Sequence, residues 1–219
     1  MPATDYCSST TTSGLEVSTY HDDDSRLWRE YVTNHPAATV FHDLAWKRVI
    51  ERAFRYKARY LMARQGTLIR GVLPLFLVES RLFGRRMIST PFAVYGGICA
   101  DDETAESALY LEACRLTRLE GADYLELRDR KSAGYPGLQS SSLYVTFEKD
   151  LTVETAALFD TLPRNTRNMI RKGRKHGLRA VFDNRHVDRF YDVYAQSVHH
   201  LGSPVFANPR PDVRNCRRR

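Results

Sequence analysis

Arg59-Tyr-Leu-Met-Ala-Arg64, then Gln65-Gly-Thr67, then Leu68-Ile-Arg-Gly-Val-Leu-Pro-Leu-Phe-Leu-Val-Glu79 is the stretch that decides the fold class. Two β-favouring runs flank a short glycine-containing turn, which is the signature of a β-hairpin. The second run is apolar at nearly every position. A strand with one wet face alternates, whereas a near-continuous apolar run belongs to a central strand buried on both faces. Pro74 has no N–H to give to a ladder, so a bulge or irregular pairing is expected there.

Before the hairpin, Leu15–Tyr20 alternates as a strand and His21-Asp-Asp-Asp-Ser25 is a helix-start cluster. The next helix runs to about Asn34, with Leu27, Trp28, Tyr31 and Val32 as its stripe, and stops before Pro36. Phe41–Phe54 reads as a second helix capped at Asp43, with Trp46, Val49, Ile50 and Ala53 on its buried side and Lys47 and Arg48 off it. After the hairpin come the turn Arg81–Arg85, a strand at Met87–Thr90, and a loop with a short strand over Pro91–Ala100. Gly96 and Gly97 beside Tyr95 imply close backbone approach, by another strand or by a ligand. Asp101-Asp102 caps a helix to about Glu120, with Ala108, Leu109, Leu111, Ala113, Leu116 and Leu119 as its apolar positions. Asp123–Asp129 and Leu143–Lys149 alternate as strands around a Gly/Ser/Pro-rich loop over 130–142. Residues 15–150 thus form one mixed α/β unit, a sheet flanked by helices, preceded by a disordered lead-in over 1–14.

A basic segment, Leu162-Pro-Arg-Asn-Thr-Arg-Asn-Met-Ile-Arg-Lys-Gly-Arg-Lys-His-Gly-Leu178, dominates the remainder of the chain. Thr161 is placed to cap a helix, Pro163 to sit in its first turn, and Gly177 to end it. At 100° per residue, Thr166, Met169, Ile170 and Gly173 share one face, while Arg164, Arg167, Arg171, Arg174 and Lys175 share the other. No acidic residue occurs from Pro163 to Arg179. Such a face is either simply solvated or it holds phosphates, and a docked apolar back would aim its arginines. A short helix at Val153–Asp160 precedes it. A strand at Leu178–Phe182 and a helix at Arg185–His200 come after it, and 207–219 is an irregular basic tail.

The 219 residues carry a net charge of +7, and most of that excess sits in this one helix, which favours an anion site over a general nucleic-acid coat. Cys7, Cys99, Cys114 and Cys216 are scattered without a C-x-x-C, so reduced thiols and a cytoplasmic location are expected. The first residues lack a signal-peptide pattern, and no apolar run approaches a membrane span. His199-His200 point about 100° apart on a helix, so no metal is expected there. Walker, dinucleotide and nucleophile-elbow motifs are absent. Glu126 and Asp129 are possible general bases, although Glu126 with Arg128 reads equally as a surface pair. No catalytic residue is assigned. Chemistry by positioning and electrostatics, as in some transferases, fits that lack.

Phe41…Trp46, Gly71–Val78, Ser80-Arg-Leu-Phe-Gly84, Pro91-Phe…Tyr95-Gly-Gly97, Tyr124-Leu-Glu-Leu-Arg128 and Leu162-Pro…Arg167…Ile170-Arg-Lys…Gly177-Leu178, taken in order over about 15–206, resemble the FemAB-like proteins. More narrowly, they resemble the branch associated with exosortase/PEP-CTERM and exopolysaccharide gene clusters. The resemblance implies two tandem GNAT-like (acyl-CoA N-acyltransferase) domains: a complete one over 15–150, and a second over 151–206 that is incomplete, as in a truncated or frame-shifted product. It implies transfer of an aminoacyl or acyl group, from aminoacyl-tRNA or acyl-CoA as co-substrate, to an amine of a nucleotide-linked envelope or polysaccharide precursor. No resident cofactor, metal or DNA partner is implied. The setting would be cytoplasmic, peripheral to the inner membrane. Substrate-binding positions carried over are Lys47, Tyr95, Arg167 and Arg171, with Arg164 on the same helix face. Arg81-Leu-Phe-Gly84-Arg-Arg86 begins like the acyl-CoA loop of GNAT proteins, but Arg86 replaces its small last residue and a strand comes next instead of a helix, so no acetyl-CoA binding is expected there. The rival reading from the residues is a non-catalytic RNA- or polyanion-binding module that uses helix 162–178.

Overall fold

The computed structural model describes residues 14–80, 84–130, 134–141, 145–151 and 154–203. The hairpin forms as expected: β3 (Leu61–Gln65) and β4 (Leu68–Leu73) pair antiparallel across Gly66-Thr67, with Gly66 at φ +59°. The register then slips, from Arg64↔Ile69 to Ala63↔Gly71, so Arg70 is the extra residue. Its carbonyl turns outward and accepts from Asp101 N–H at 2.9 Å and from the Tyr31 hydroxyl at 3.2 Å. The bulge thus falls at Arg70, while Pro74 marks a change of sheet. The chain leaves β4 at Leu73 and resumes as β5 (Phe76–Ser80) in a second sheet.

The first sheet has the order β1-β3-β4-β7, with β1 at Leu15–Thr19 and β7 at Cys99–Ala100. The second has the order β2-β5-β6-β8, with β2 at Lys57–Ala58, β6 at Gly84–Ile88 and β8 at Tyr124–Glu126. All pairs are antiparallel except β6–β8, which α3 (Glu103–Leu119) connects as a parallel crossover. Burial on both faces follows the twofold period of the strands. Tyr60, Met62, Val72 and Phe76 join Trp28 of α1 (Ser25–Asn34) and Leu44 and Ile50 of α2 (Leu44–Phe54) in one core cluster. Leu61, Ala63, Leu73, Leu75 and Leu77 join Ala105, Leu109 and Ala113 of α3 in another. The protein is therefore a mixed α/β fold with helices packed on its sheets. Gly71 lets α3 pack close on β4, because a Cβ there would meet Leu109 Cδ1 at 2.8 Å.

Several helix faces are rotated from the sequence reading. On α2, Ile50 is buried and Trp46 half-buried against the core as expected, but Leu44 and Lys47 turn inward while Val49 and Ala53 are exposed. Phe41 belongs to a separate 3-10 turn, Val40–His42, so the helix begins only after Asp43, whose carboxylate accepts from Ala45 N–H at 2.6 Å. On α3, Leu111 and Leu119 are exposed, while Tyr110 and Thr117 are buried in their place. Asp102 caps α3 through Ala105 N–H as expected.

The chain divides into two units between Ser140 and Ser141. Beyond the division lie α4 (Thr155–Asp160), α5 (Arg164–Lys175) and α6 (Val187–His200). Neither expected strand forms there: 145–149 and Leu178–Phe182 are irregular, and no strand occurs among the described residues of this unit. Alternation alone does not make a strand without a sheet edge to pair with. The lead-in over 1–13, the turn residues 81–83, Leu143, Val153 and the tail over 207–219 lie outside the described residues.

Candidate functional site

A cleft of about 280 Å³ opens between the start of α1 and the length of α2. Tyr20, Asp22, Ser25 and Arg29 form one side, and Leu44, Lys47, Arg48, Glu51 and Arg52 the other. Four cations face two carboxylates, so the cleft suits an anion larger than a single carboxylate. Lys47 is its most sheltered cation, with 17% of its side chain exposed. Its ammonium pairs with Glu51 one turn on, at 3.1 Å, and lies 5.6 Å from the centre of the Tyr20 ring. The Tyr20 hydroxyl is tied to Ser25 Oγ at 2.7 Å. The aliphatic stem of Lys47 fills the inward face of α2 while its head reaches the cleft, the common way a lysine is half-buried. The sequence reading set Lys47 off the buried side because only apolar residues were counted.

Tyr95 stands in a different setting, on the turn from Ser89 to Ile98 that wraps the end of β8. Its carbonyl accepts from Thr39 Oγ1 at 2.7 Å, and the Arg130 guanidinium lies 5.7 Å from its ring centre. The paired glycines are explained by this packing. Gly96 and Gly97 donate their N–H groups to Arg128 O, and a side chain on either would run into Thr90 or Asp129. Close approach here is by the protein itself. His42, buried with its basicity lowered by that burial, holds the turn through Gly97 O at 3.1 Å. Asp129 accepts from Ile98 N–H at 2.9 Å, and burial raises its carboxyl to about 6, with the Glu106 charge adding to the shift. Glu126 takes the plainer of its two readings, an ion pair with Arg128 Nε at 2.7 Å.

Arg164, Arg167 and Arg171 share one face of α5, as expected. The rest of that expectation changes. Thr161 does not cap α5; its hydroxyl bonds back to Leu158 O and closes α4, and Pro163 takes the cap position with no side-chain bond. Gly177, at φ +71°, ends the helix, with Leu178 N–H on Gly173 O. Along the apolar back Met169 is 66% exposed, Ile170 and Gly173 are half-buried, and no residue of α5 is fully buried. The arginines are held from within the unit. Arg167 donates to Asp160 O at 2.7 Å, and Arg171 and Arg174 lie 5.2 and 5.9 Å from the Phe159 ring centre. Cation–π contact thus offsets part of the self-repulsion that the composition implies.

One grouping left no trace in the sequence reading. Cys99 Sγ lies 3.0 Å from His35 Nδ1, and His35 Nε2 lies 3.6 Å from Asp101. This is the spacing of a nucleophile, a base and an orienting carboxylate. Cys99 is only 1% exposed, however, and burial, helped by the Asp101 charge, pushes its thiol up to about 12. A neutral, shielded thiol is not a nucleophile. The grouping ties the end of α1 to β7, with Asp101 also paired to Arg70 at 3.0 Å. Cys99 and Cys114 are both free thiols; Cys7 and Cys216 lie outside the described residues. No cluster of three His, Cys, Asp or Glu suited to a metal ion occurs among the described residues, and no described helix is long and apolar enough to cross a membrane.

Of the stretch that begins like an acyl-CoA loop, 81–83 lie outside the described residues. Gly84 opens β6, and the Arg85 N–H donates to the Asp123 carboxylate at 2.9 Å.

No protein-family model matches the chain, and no curated protein matches it. Solved structures similar to it include a ribosomal-protein-alanine N-acetyltransferase from Brucella melitensis biovar Abortus 2308, at 13% identity, TM-score 0.42, over 62% of this chain and 98% of that one. A transcriptional regulator from Bacillus halodurans C-125 gives 14% identity and TM-score 0.42, over 62% and 99%. A GNAT family acetyltransferase from Staphylococcus aureus subsp. aureus USA300_TCH1516 gives 10% identity and TM-score 0.40, over 63% and 99%.

Proposed function

We propose that this chain is a FemAB-like N-acyltransferase with a GNAT-like first unit. It would act in the cytoplasm on an amine of a nucleotide-linked envelope or exopolysaccharide precursor. The observation that carries the reading is the cationic cleft at Lys47, which falls where the resemblance assigns a precursor-binding lysine. Phosphates of the precursor lie against Lys47, Arg48 and Arg52, with Glu51 tuning the charge. Tyr95 and the α5 arginines Arg164, Arg167 and Arg171 are the further binding residues of this reading.

The neutral acceptor amine attacks the acyl carbonyl of an activated ester or thioester. The N–C bond forms, the C–O or C–S bond of the donor breaks, and the amine's proton leaves with the tRNA hydroxyl or the thiol. Fixing the amine by the phosphates attached to it converts a bimolecular step into an effectively unimolecular one, the main service such a site renders when no side-chain nucleophile is present. Aminoacyl-tRNA and acyl-CoA are both donors that this reading admits.

A second reading, RNA or polyanion binding through α5, draws on the exposed Arg164, Lys172 and Lys175. Titration with a nucleotide sugar and with a single-stranded oligoribonucleotide at several salt concentrations separates the two. Saturable nucleotide-sugar binding with weak salt dependence supports the transferase. Oligonucleotide binding that falls steeply with salt, with no nucleotide-sugar binding, supports the alternative.

A further inference from the structure

An aromatic group stands at the C-terminal end of α2. Phe54, its last residue, stacks on Phe92 with ring centres 4.3 Å apart and planes at 26°. Tyr56 lies nearly parallel to Phe92, at 6.3 Å and 11°. Phe92 is still 51% exposed, so with Phe54 behind it the ring's other face is open to solvent. A single exposed aromatic is ordinary, but the backbone under this one is not. Phe92 has φ +63° and Thr90 φ +45°, both in the left-handed region that disfavours bulky and β-branched side chains. Ser89, Thr90 and Ala93 around it are buried, and the Thr90 hydroxyl is buried without a partner. A strained, rigid turn therefore presents an aromatic ring to solvent, an arrangement typical of ligand clamps.

The cations of the cleft sit on the same helix. Lys47 is two turns before Phe54, on the same face and about 10 Å along the axis. A nucleoside diphosphate spans such a distance from its base to its phosphates.

We propose that Phe92, backed by Phe54 and Tyr56, is the stacking platform for the base of a nucleoside diphosphate whose phosphates lie at Lys47. The inference rests on the proposed nucleotide-linked acceptor and assigns the subsite for its base. A π-face contact tolerates any base, so the platform supplies affinity and orientation rather than base selectivity.

Calorimetric titration of the full chain with uridine 5′-diphosphate, adenosine 5′-diphosphate and inorganic pyrophosphate tests it, on the wild type, Phe92→Ala and Phe92→Trp. Phe92→Ala is expected to weaken both nucleoside diphosphates by about 5- to 100-fold. It should leave pyrophosphate unchanged, and Phe92→Trp should restore wild-type binding. Nucleoside diphosphate binding that is unchanged in Phe92→Ala overturns the platform and leaves the phosphate cleft standing. Equal loss of pyrophosphate in Phe92→Ala also overturns it, since the substitution would then be disturbing the cleft. A wild type that binds neither diphosphate, whether or not it binds an oligouridylate, overturns the platform and the precursor-binding reading together.

Discussion

Replacing Lys47 by Met separates binding from folding. Methionine keeps the stem that packs on the inward face of α2 and removes only the ammonium. The ion pair with Glu51 is an i,i+4 helix pair, 17% and 36% exposed, and such pairs contribute about 0.3–0.5 kcal/mol to stability. The fold should therefore survive with a nearly unchanged Tm. A hydrogen bond from the ammonium to a phosphate is charge-assisted and contributes about 1.5–3 kcal/mol. Its loss therefore weakens binding about 10- to 150-fold. Glu51→Gln supplies the opposite sign. It leaves Lys47 without its carboxylate partner and removes the negative charge nearest the bound phosphates, so binding should tighten, most of all at low salt. The assay is calorimetric titration with a nucleotide sugar at two ionic strengths. Equal affinities in wild type and Lys47→Met, or weaker binding in Glu51→Gln, would refute the assignment of phosphates to this cleft.

Further expectations concern the scaffold. Gly71→Ala should lower stability by about 1–3 kcal/mol, read by thermal or urea unfolding, because its Cβ enters Leu109 of α3. Asp129, ordinarily titrating at 3.8 and raised by burial to about 6, keeps in the folded state a proton that the unfolded chain gives up. Its contribution to stability is therefore full below 3.8 and is lost as pH rises through about 6, so Asp129→Asn should flatten unfolding free energy across that window. Under native conditions a thiol reagent should leave Cys99 unmodified, by peptide mapping, until the protein unfolds; rapid native labelling would reopen the Cys99–His35–Asp101 grouping to a chemical role.

The hairpin was legible because its two signals are local: a glycine turn and an apolar run over Leu68–Glu79, whose middle, 71–77, is buried throughout. Caps at Asp43 and Asp102 were legible for the same reason, as each bonds an N–H two or three residues on. Helix faces were less so. On α2, counting apolar residues found Trp46 and Ile50 but also selected Val49 and Ala53, whereas the inward face continues through Leu44 and the half-buried Lys47. Pro74 was recognised as a disturbance, yet whether it bends a strand or moves the chain to another sheet depends on partners distant in sequence. The alternating stretches 145–149 and Leu178–Phe182 look like strands and form none, because alternation records a preference and pairing needs an edge. The candidate site was half legible. Lys47 came from resemblance, and Arg48 and Arg52 could have been found as cations at helical spacing beside it. Nothing local in the sequence places Tyr20 and Arg29 opposite them. Gly96 and Gly97 signalled close approach correctly, but only the fold identifies Thr90 and Asp129 as what approaches.

The proposed reaction is acyl transfer to a nucleotide-linked amine. Its most direct test is mass spectrometry of amine-bearing nucleotide-sugar acceptors after incubation of the protein with aminoacyl-tRNA or, separately, acyl-CoA. The reading predicts an acceptor whose mass increases by one aminoacyl or acyl group, at a rate that falls in Lys47→Met. No modified acceptor with either donor, across a panel of such acceptors that bind the protein, would contradict it.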